Sequence, residues 1–230
     1  MNDDPFWQVP RTHFQTTVCD VELPMFFYDV AVRQLNYFVP LNRVTPLLAG
    51  TGLVPCGFWR GKALVSLIFY QYRDVSIGPY DEVTITILCR PETLPDPGRH
   101  WRNLLRRRGA DWTIGAYVLE MPVTLNRARA AGREIWGFPK FETLIPSNLG
   151  ESGFDFGVDD PDGVPILRVS ARHWPGIPMT GFDLVTLSNY QNKIWRTVID
   201  VDVKYENCLP RGVTLTIGPS KHGMAERLRA

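Results

Sequence analysis

The sequence predicts a mainly β protein, a β-rich α+β fold with a few short helices, on three observations. Runs rich in β-branched and aromatic residues dominate the chain. Clusters of Gly, Pro and Asp separate these runs and account for most of the 19 Gly and 19 Pro. Helical patterns are few and short. Because no internal repeat, linker or low-complexity segment interrupts the pattern, residues 1–230 are expected to form one domain.

The predicted strands follow one another along most of the chain. They cover residues 63–72, 82–88, 113–122, 164–171, 193–205 and 213–217. Within the fifth run, Val201 to Tyr205 alternates apolar and polar residues, which is typical of a strand with one solvated face. Turn signals lie between the runs, at residues 78–79, 95–98, 159–163 and 175–176.

Three short helices complete the prediction. Residues 42–49 favour a helix that Pro46 interrupts. Residues 124–131 begin with a capping-type Thr124, and this helix is expected to end at Gly132, a usual stop residue. Residues 220–230 indicate a charged helical tail.

Charge and hydropathy exclude two classes of partner. The chain has 25 Lys and Arg against 24 Asp and Glu, whereas a nucleic-acid-binding domain is normally strongly basic. One basic run exists, Arg99 to Arg102 with Arg106 to Arg108, and it is interpreted as a solvated loop or helix face. No apolar stretch approaches the roughly 18 residues that span a bilayer. Neither a nucleic-acid nor a membrane partner is therefore expected.

Cysteine and histidine usage indicates a cytoplasmic protein without a metal. Cys19, Cys56, Cys89 and Cys208 lie far apart with no CxxC pair, and the acidic N-terminus lacks the features of a signal peptide. Reduced thiols are the simplest account of this pattern. The four histidines are scattered, and none has zinc-ligand spacing, so no metal or other cofactor is expected.

One segment carries a family resemblance. Gly132-Arg133-Glu134-Ile135-Trp136-Gly137-Phe138-Pro139-Lys140 resembles the G-R-E-x-x-x-[YF]-P-K signature of acetoacetate decarboxylases. Upstream, Tyr80-Asp81-Glu82 is similar to their Y-x-E element, and Gly115-Ala116-Tyr117 to their G-x-Y stretch. The elements stand in family order, and the likeness runs from about Asp20 to Pro219. It implies an antiparallel β-barrel in which Lys140 forms an imine with a ketone and Glu82 lies in the active site.

The surroundings of Lys140 fit that chemistry. An amine attacks a carbonyl only when it is neutral, and desolvation or a neighbouring positive charge favours the neutral form, as is known of acetoacetate decarboxylase itself. Trp136, Phe138 and Phe141 surround Lys140 with apolar bulk. Read from the segment alone, the alternative is a lysine whose stem packs on aromatic rings while its head reaches water. Glu82 is likewise either a proton-handling group or a surface carboxylate paired with an arginine.

The sequence departs from the family pattern at three places. Phe141 stands where the decarboxylases have a second lysine, and Leu67 where they have a second carboxylate. Residues 24–27 contain no arginine, although the family has one there on the side of the substrate's carboxylate. The site is therefore expected to be more apolar. Its expected substrate-binding residues are Tyr80, Trp136, Phe138, Phe141 and Leu67.

These observations predict a Schiff-base-forming lyase that acts on a keto acid or ketone larger and more apolar than acetoacetate. Decarboxylation, aldol or retro-aldol cleavage and dehydration all remain open, because one iminium intermediate serves each of them. The alternative is a non-catalytic small-molecule binding protein that keeps the pocket. The chain also stops short of a further strand usual in the family, which would leave a sheet edge open. A homodimer or homotetramer is expected, since the resemblance implies oligomeric relatives and open edges template association.

Overall fold

The computed structural model describes residues 5–96, 98, 100, 102, 108–181, 183–209 and 211–229. Strands hold 52% of the residues and helices 15%, which confirms the prediction of a β-rich protein with few short helices. Most of the basic run at residues 99–108 lies outside the described residues.

The strands are, in chain order, β1 (Thr12–Gln15), β2 (Asp20–Leu23), β3 (Phe27–Pro40), β4 (Leu53–Pro55), β5 (Gly57–Trp59), β6 (Lys62–Val75), β7 (Tyr80–Pro91), β8 (Gly115–Val123), β9 (Lys140–Glu142), β10 (Ser147–Leu149), β11 (Gly153–Asp159), β12 (Pro165–Arg172), β13 (Ile177–Thr180), β14 (Leu184–Tyr190), β15 (Lys193–Ile199), β16 (Lys204–Asn207) and β17 (Val213–Ile217). The α-helices are α1 (Leu41–Val44), α2 (Asn126–Ile135) and α3 (Gly223–Arg229). Short 3-10 helices cover Pro5–Trp7, Thr45–Leu48 and Gly109–Asp111.

A nine-stranded mixed sheet forms the main layer. Its path is β15-β14-β8-β7-β6-β3, and the short strands β4, β5 and β9 pair with β7, β6 and β8. Each of the long strands β3, β6, β7 and β8 is antiparallel to its neighbour, whereas β14 and β9 run parallel to β8. Strand β9 therefore pairs with the end of β8, on the edge of β8 that faces away from β7. The start of β7 pairs with the other edge of the same segment.

A second sheet covers one face of the first. It has four strands in the order β10-β11-β12-β17. Phe69 of β6 stacks on Phe156 of β11 with ring centroids 5.0 Å apart, and Met224 of α3 is fully buried in the same cluster. The largest group of buried apolar side chains thus lies between the two sheets and beneath α3.

The expectation of a β-barrel is wrong, because no sheet among the described residues closes on itself. The main sheet ends at β15 on one side and at β3 on the other, and these two strands do not pair. Closing on itself is one way for a sheet to bury its apolar face, and packing against a second layer is another. Here the second sheet and α3 cover that face, so two packed layers bury the core instead.

The fifth predicted strand is two strands. Strand β15 follows β14 through a tight turn in which Gln191 and Asn192 have positive φ, and it ends at Ile199. Strand β16 begins at Lys204 and pairs with β13 in a separate two-stranded sheet. Alternation of apolar and polar residues continues across residues 200–203, but it cannot reveal that the chain changes its pairing partner there.

Two helix predictions also need correction. Helix α1 is only one turn long and is followed by a 3-10 turn over Thr45–Leu48, which accommodates Pro46 near its start. Helix α2 does not end at Gly132 but continues through it to Ile135. Gly132 is in the helix interior because the side chain of Lys140 occupies the space that a Cβ would need.

Three further observations concern the described residues as a set. None of their helices combines the length and the apolarity that a membrane crossing requires. No group of three or more His, Cys, Asp and Glu side chains among them could hold a metal ion. All four cysteines are free thiols.

Candidate active site

Lys140 and Glu82 lie on opposite sides of strand β8 and meet above it. Lys140 is the first residue of β9 and pairs with Met121, whereas Glu82 of β7 pairs with Val123. Lys140 Nζ donates a hydrogen bond of 2.7 Å to Glu82 Oε2. The exposed fractions of the two side chains are 7% and 4%, so this is a buried ion pair.

The turn after α2 fixes where Lys140 begins its strand. The Phe138 N–H donates to the Gly132 carbonyl at 2.9 Å, and the Arg133 guanidinium donates to the Lys140 carbonyl at 3.0 Å. Gly137 has a φ of +64°, a left-handed conformation that glycine adopts without strain. The G-R-E-x-x-G pattern therefore returns the chain onto its own helix and aims Lys140 at Glu82.

Glu134, the third residue of that pattern, anchors a different segment. Its carboxylate accepts hydrogen bonds from the Thr17 N–H at 2.9 Å and from the Thr17 hydroxyl at 2.6 Å. These bonds lower the pKa of Glu134. Glu134 thus links the turn that follows β1 to the end of α2. Neither of these two hydrogen bonds involves Lys140.

The second oxygen of Glu82 is held by hydroxyls. Thr84 and Tyr72 donate to Glu82 Oε1 at 3.3 Å and 3.4 Å. The Lys140 ammonium lies 5.5 Å from the centroid of the Tyr80 ring, and the rings of Tyr72 and Tyr80 are 4.5 Å apart. Burial, and secondarily the Glu82 charge, raises the pKa of Tyr72 and Tyr80 well above the ordinary phenol value. Both phenols therefore stay protonated, and Tyr72 remains a donor.

An apolar wall stands beside the pair. Trp136 and Phe138 stack at 6.3 Å between ring centroids and pack with Val118 and Met121 of β8. The Ser188 hydroxyl donates to the Trp136 carbonyl at 2.6 Å, which ties this wall to β14. The structure therefore brings Lys140, Glu82, Tyr80, Trp136 and Phe138 to one face of the main sheet.

Leu67 and Phe141 lie on the opposite face. Successive residues of a strand point to opposite sides of the sheet, so Phe141 points away from the side that Lys140 occupies. Phe141 packs at 4.6 Å from the His222 ring, and both Phe141 and Leu67 contact the core between the two sheets. The structure does not bring these two residues to the ion pair.

The segment 24–27 does lie beside the site. Phe27 contacts Tyr72 with ring centroids 4.9 Å apart, and Met25 belongs to the same cluster as Tyr80 and Val123. The segment in which the family pattern has an arginine is thus filled here by apolar side chains close to the tyrosines.

A surface concavity of about 580 Å³ lies elsewhere, lined by Glu92 and by residues of the α1–β4 region that include Asn42, Pro46, Gly50 and Val54. Glu92 is ten residues from Glu82, hence about 30 Å away along an extended strand. The concavity is therefore separate from the ion pair, which is enclosed by its own neighbours.

Sequence reasoning missed three contributors to this site. Neither Tyr72 nor Thr84 was predicted as a site residue, and Gly132 was interpreted as a helix stop. Strand alternation could have found Thr84, because it lies two residues from Glu82 and so shares its face. Tyr72 pairs with Tyr80 across the β6–β7 hairpin. A hairpin turn at Gly78-Pro79 would have predicted this pairing, and hence that Tyr72 lies beside Tyr80.

The chain resembles known proteins both in sequence and in structure. The family model described as "Acetoacetate decarboxylase (ADC)" matches residues 21–179. No curated protein matches the chain. The acetoacetate decarboxylase of Legionella pneumophila subsp. pneumophila str. Philadelphia 1 superposes with a TM-score of 0.53 at 15% identity, over 86% of this chain and 75% of that chain.

Two structures of the enduracididine biosynthesis enzyme MppR are also similar. Its complex with pyruvate gives a TM-score of 0.54 at 14% identity, over 86% of this chain and 79% of that chain. Its complex with the condensation product of pyruvate and imidazole 4-carboxaldehyde gives 0.50 at 14% identity, over 86% and 78%. At such low identity these likenesses concern the fold.

Proposed function

Because this chain belongs to the acetoacetate decarboxylase family, we propose that it is a lyase in which Lys140 forms a Schiff base with a keto substrate. The observation that carries the proposal is the buried 2.7 Å contact between Lys140 Nζ and Glu82 Oε2, which joins two motifs 58 residues apart in sequence. Burial favours the neutral amine that attacks a carbonyl, and the carboxylate beside it is a group that can accept and return the proton.

The first steps use both residues. Glu82 Oε2 accepts a proton from the Lys140 ammonium, and the neutral amine attacks the carbonyl carbon of the substrate to give a carbinolamine. Glu82 returns the proton to the carbinolamine hydroxyl, which leaves as water, and an iminium remains. Thr84 and Tyr72 hold Glu82 Oε1 throughout, so Oε2 stays directed at the amine.

The iminium then accepts the electron pair of the bond that breaks. In decarboxylation the bond to the carboxylate breaks, carbon dioxide leaves and an enamine forms. A proton added to the enamine carbon restores an iminium, and water hydrolyses it to release the ketone and Lys140. In aldol cleavage the same electron sink receives the pair from a carbon–carbon bond, with an aldehyde as the leaving partner.

The reaction type rests on the family and its fold. Acetoacetate decarboxylases share this fold, and so does MppR, which has been captured with pyruvate and with a condensation product of pyruvate and an aldehyde. Both carbon–carbon cleavage and condensation therefore belong to the chemistry proposed for Lys140.

The substrate proposed is larger and more apolar than acetoacetate. Trp136, Phe138 and Met121 supply an apolar wall, and Met25 and Phe27 occupy the segment where an arginine would have paired with a carboxylate. A small dianionic or strongly hydrophilic acid would lose hydration there without gaining a charged partner.

A non-catalytic binding protein is the alternative, and one observation favours it. Lys140 and Glu82 neutralise each other in a nearly closed environment, as in a purely structural buried ion pair. In that role the lysine would never reach a substrate carbonyl.

Borohydride trapping separates these alternatives. The protein is incubated with a panel of apolar β-keto acids, α-keto acids and ketones, reduced with borohydride, and measured by intact mass and peptide mapping. A secondary-amine adduct on the peptide that contains Lys140, absent from Lys140→Arg, supports the lyase. Failure of the whole panel to label, or equal labelling of Lys62, contradicts it.

A further inference from the structure

The sheet face that bears the ion pair also carries a row of uncharged polar side chains. Glu82, Thr84 and Thr86 are alternate residues of β7, so their side chains share this face. Ser66 of β6 lies directly opposite Thr86 and continues the row onto the next strand. All three hydroxyl residues are buried, with exposed fractions of 3% for Thr84, 5% for Thr86 and 7% for Ser66. The row therefore leads away from Glu82 beneath the surface of the protein.

The Thr86 hydroxyl differs from its neighbours in having no protein partner. Thr84 donates to Glu82, and the Ser66 hydroxyl donates to the Asn36 amide oxygen at 2.7 Å. The Thr86 hydroxyl makes no hydrogen bond to any residue that the structure describes. A buried polar group without a partner costs free energy, so a hydroxyl kept at such a position calls for a guest that bonds to it.

The row reaches solvent on the side of β3. In the pairing of β3 with β6, Asn36 lies opposite Ser66 and Gln34 opposite Ile68. Asn36 and Gln34 are exposed, and the Gln34 amide donates to Asn36 Oδ1 at 2.8 Å. Exposure on this face thus falls from β3, across β6, to β7. A molecule that reaches Thr86 from solvent would therefore pass over β3 and β6.

The opposite flank of the row is apolar. Thr86 pairs with Val118 of β8, and Val118 packs with Met121 and Phe138, which belong to the wall beside the ion pair. A guest in this region meets apolar side chains on the β8 flank and hydroxyls on the β6 flank. Mostly apolar walls with a few placed polar groups are the usual composition of a small-molecule site.

We propose that the substrate is a keto compound with a hydroxyl at the far end of an apolar chain, and that Thr86 and Ser66 bind this hydroxyl. The inference rests on the proposed function, because Lys140 holds the keto end. Thr86 lies four residues from Glu82, about 13 Å along the strand, which an extended chain of about ten carbon atoms spans. Thr86 donates to the substrate hydroxyl, which in turn donates to the Ser66 oxygen, since the Ser66 proton is engaged by Asn36.

The same geometry selects against a charged end. Thr84, Thr86 and Ser66 are all neutral side chains. A carboxylate or an ammonium group among them would lose its hydration without gaining an opposite charge. A neutral hydroxyl loses less hydration and recovers it through two hydrogen bonds.

Matched ketones test the assignment by borohydride labelling of Lys140. Two methyl ketones about ten carbon atoms long end in a methyl or a hydroxyl group, and a pair about five carbon atoms long is too short to reach Thr86. In Thr86→Val, which removes the hydroxyl and keeps the branched shape, the ratio of hydroxyl-ended to methyl-ended labelling should fall about 3- to 10-fold for the long pair. The ratio for the short pair should not change. Thr214→Val, at an exposed position of β17, is the matched control and should keep both ratios.

The corresponding secondary alcohols separate the binding site from the chemistry, because they cannot form an imine. Their dissociation constants, measured by isothermal titration calorimetry, should show the same fall in Thr86→Val, with thermal unfolding recorded to verify that each variant is folded. Labelling of Lys140 with equal ratios in wild type and Thr86→Val would overturn the assignment and leave the lyase standing. The same fall in Thr214→Val, or alcohols that do not bind, would also overturn it. A Thr86-dependent preference among the alcohols without any labelling of Lys140 would support the hydroxyl site and contradict the lyase.

Discussion

Gly132 lies against the side chain of Lys140, in the space that the lysine crosses to reach Glu82. A Cβ at position 132 would be 2.5 Å from Lys140 Cε and would also overlap Cδ. Glycine inside a helix costs about 1 kcal/mol relative to alanine, so nothing in α2 itself favours it there. The glycine of the G-R-E motif is explained by the path of the Lys140 side chain.

Gly132→Ala should therefore impair the site without unfolding the protein. The added methyl displaces Lys140 by roughly 1 Å, and a displacement of that size costs on the order of 100-fold in rate. The measurement is the rate of borohydride trapping at Lys140, with thermal unfolding recorded alongside. Gly223→Ala is the control, since its Cβ would meet nothing nearer than 3.5 Å, at the flexible Arg227. Wild-type trapping in Gly132→Ala would refute the explanation.

Glu82→Gln should reduce turnover far more than it reduces stability. The amide keeps the size of the carboxylate and an oxygen for Lys140, but it cannot accept the proton, which costs about 10²- to 10⁴-fold. The loss of unfolding free energy should stay below the roughly 3–5 kcal/mol expected when one partner of a buried pair is deleted. Turnover and urea denaturation are compared with those of Glu142→Gln, an exposed glutamate two residues from Lys140. Equal turnover in the two variants would make Glu82 a structural residue.

The proximity of Lys140 and Glu82 could be predicted from sequence, because each lies in a short motif of recognisable residue types and spacing. Strands β6, β7 and β8 could be predicted from their apolar runs. Strand β3 was missed because it lies at an edge: its outer positions include Val32 and Phe38, its inner ones include Arg33, and so no clean alternation survives.

The lining of the site was harder to predict than its reactive groups. Which face a residue occupies depends on register, and β9 is too short for its register to be read from its own three residues. Phe141 and Leu67 were predicted to line the site because they correspond in position to site residues of the family. The pairing of β9 with β8 and of β6 with β7 places both side chains on the opposite face of the sheet. Whether the sheet closes likewise depends on which elements pack on its apolar face. The sequence of a single strand does not contain that information.

The pH dependence of stability should reveal Glu120, a buried carboxylate on the face of the main sheet opposite Lys140. Burial raises the pKa of Glu120, although its ion pair with Arg227 opposes the shift. Because the pKa of Glu120 is raised in the folded state, the folded protein binds more protons than the unfolded chain. The resulting contribution to stability is therefore complete below the ordinary pKa of 4.5. It is lost as the pH rises through the raised pKa of the folded state. Glu120→Gln should remove that slope from plots of unfolding free energy against pH between 4.5 and neutrality, whereas the exposed Glu151→Gln should retain it. Parallel curves for wild type and Glu120→Gln would contradict the shift.

Phe141→Lys, which restores the lysine pair of the family signature, should destabilise the protein and leave Lys140 as it is. Consecutive strand residues point to opposite faces, so the new ammonium would enter the core beside His222 instead of approaching the Lys140 amine. Losing the ring there costs about 3–5 kcal/mol by itself, and burying a charge adds to that. Phe141→Leu is the control, because an apolar replacement closer in shape should cost less. At a temperature where both variants are folded, trapping at Lys140 should match the wild type within about threefold, and acetoacetate decarboxylation should stay weak. A large gain in acetoacetate turnover by Phe141→Lys would mean that residue 141 acts on Lys140 after all, and that the apolar segment at residues 24–27 is not what limits the reaction.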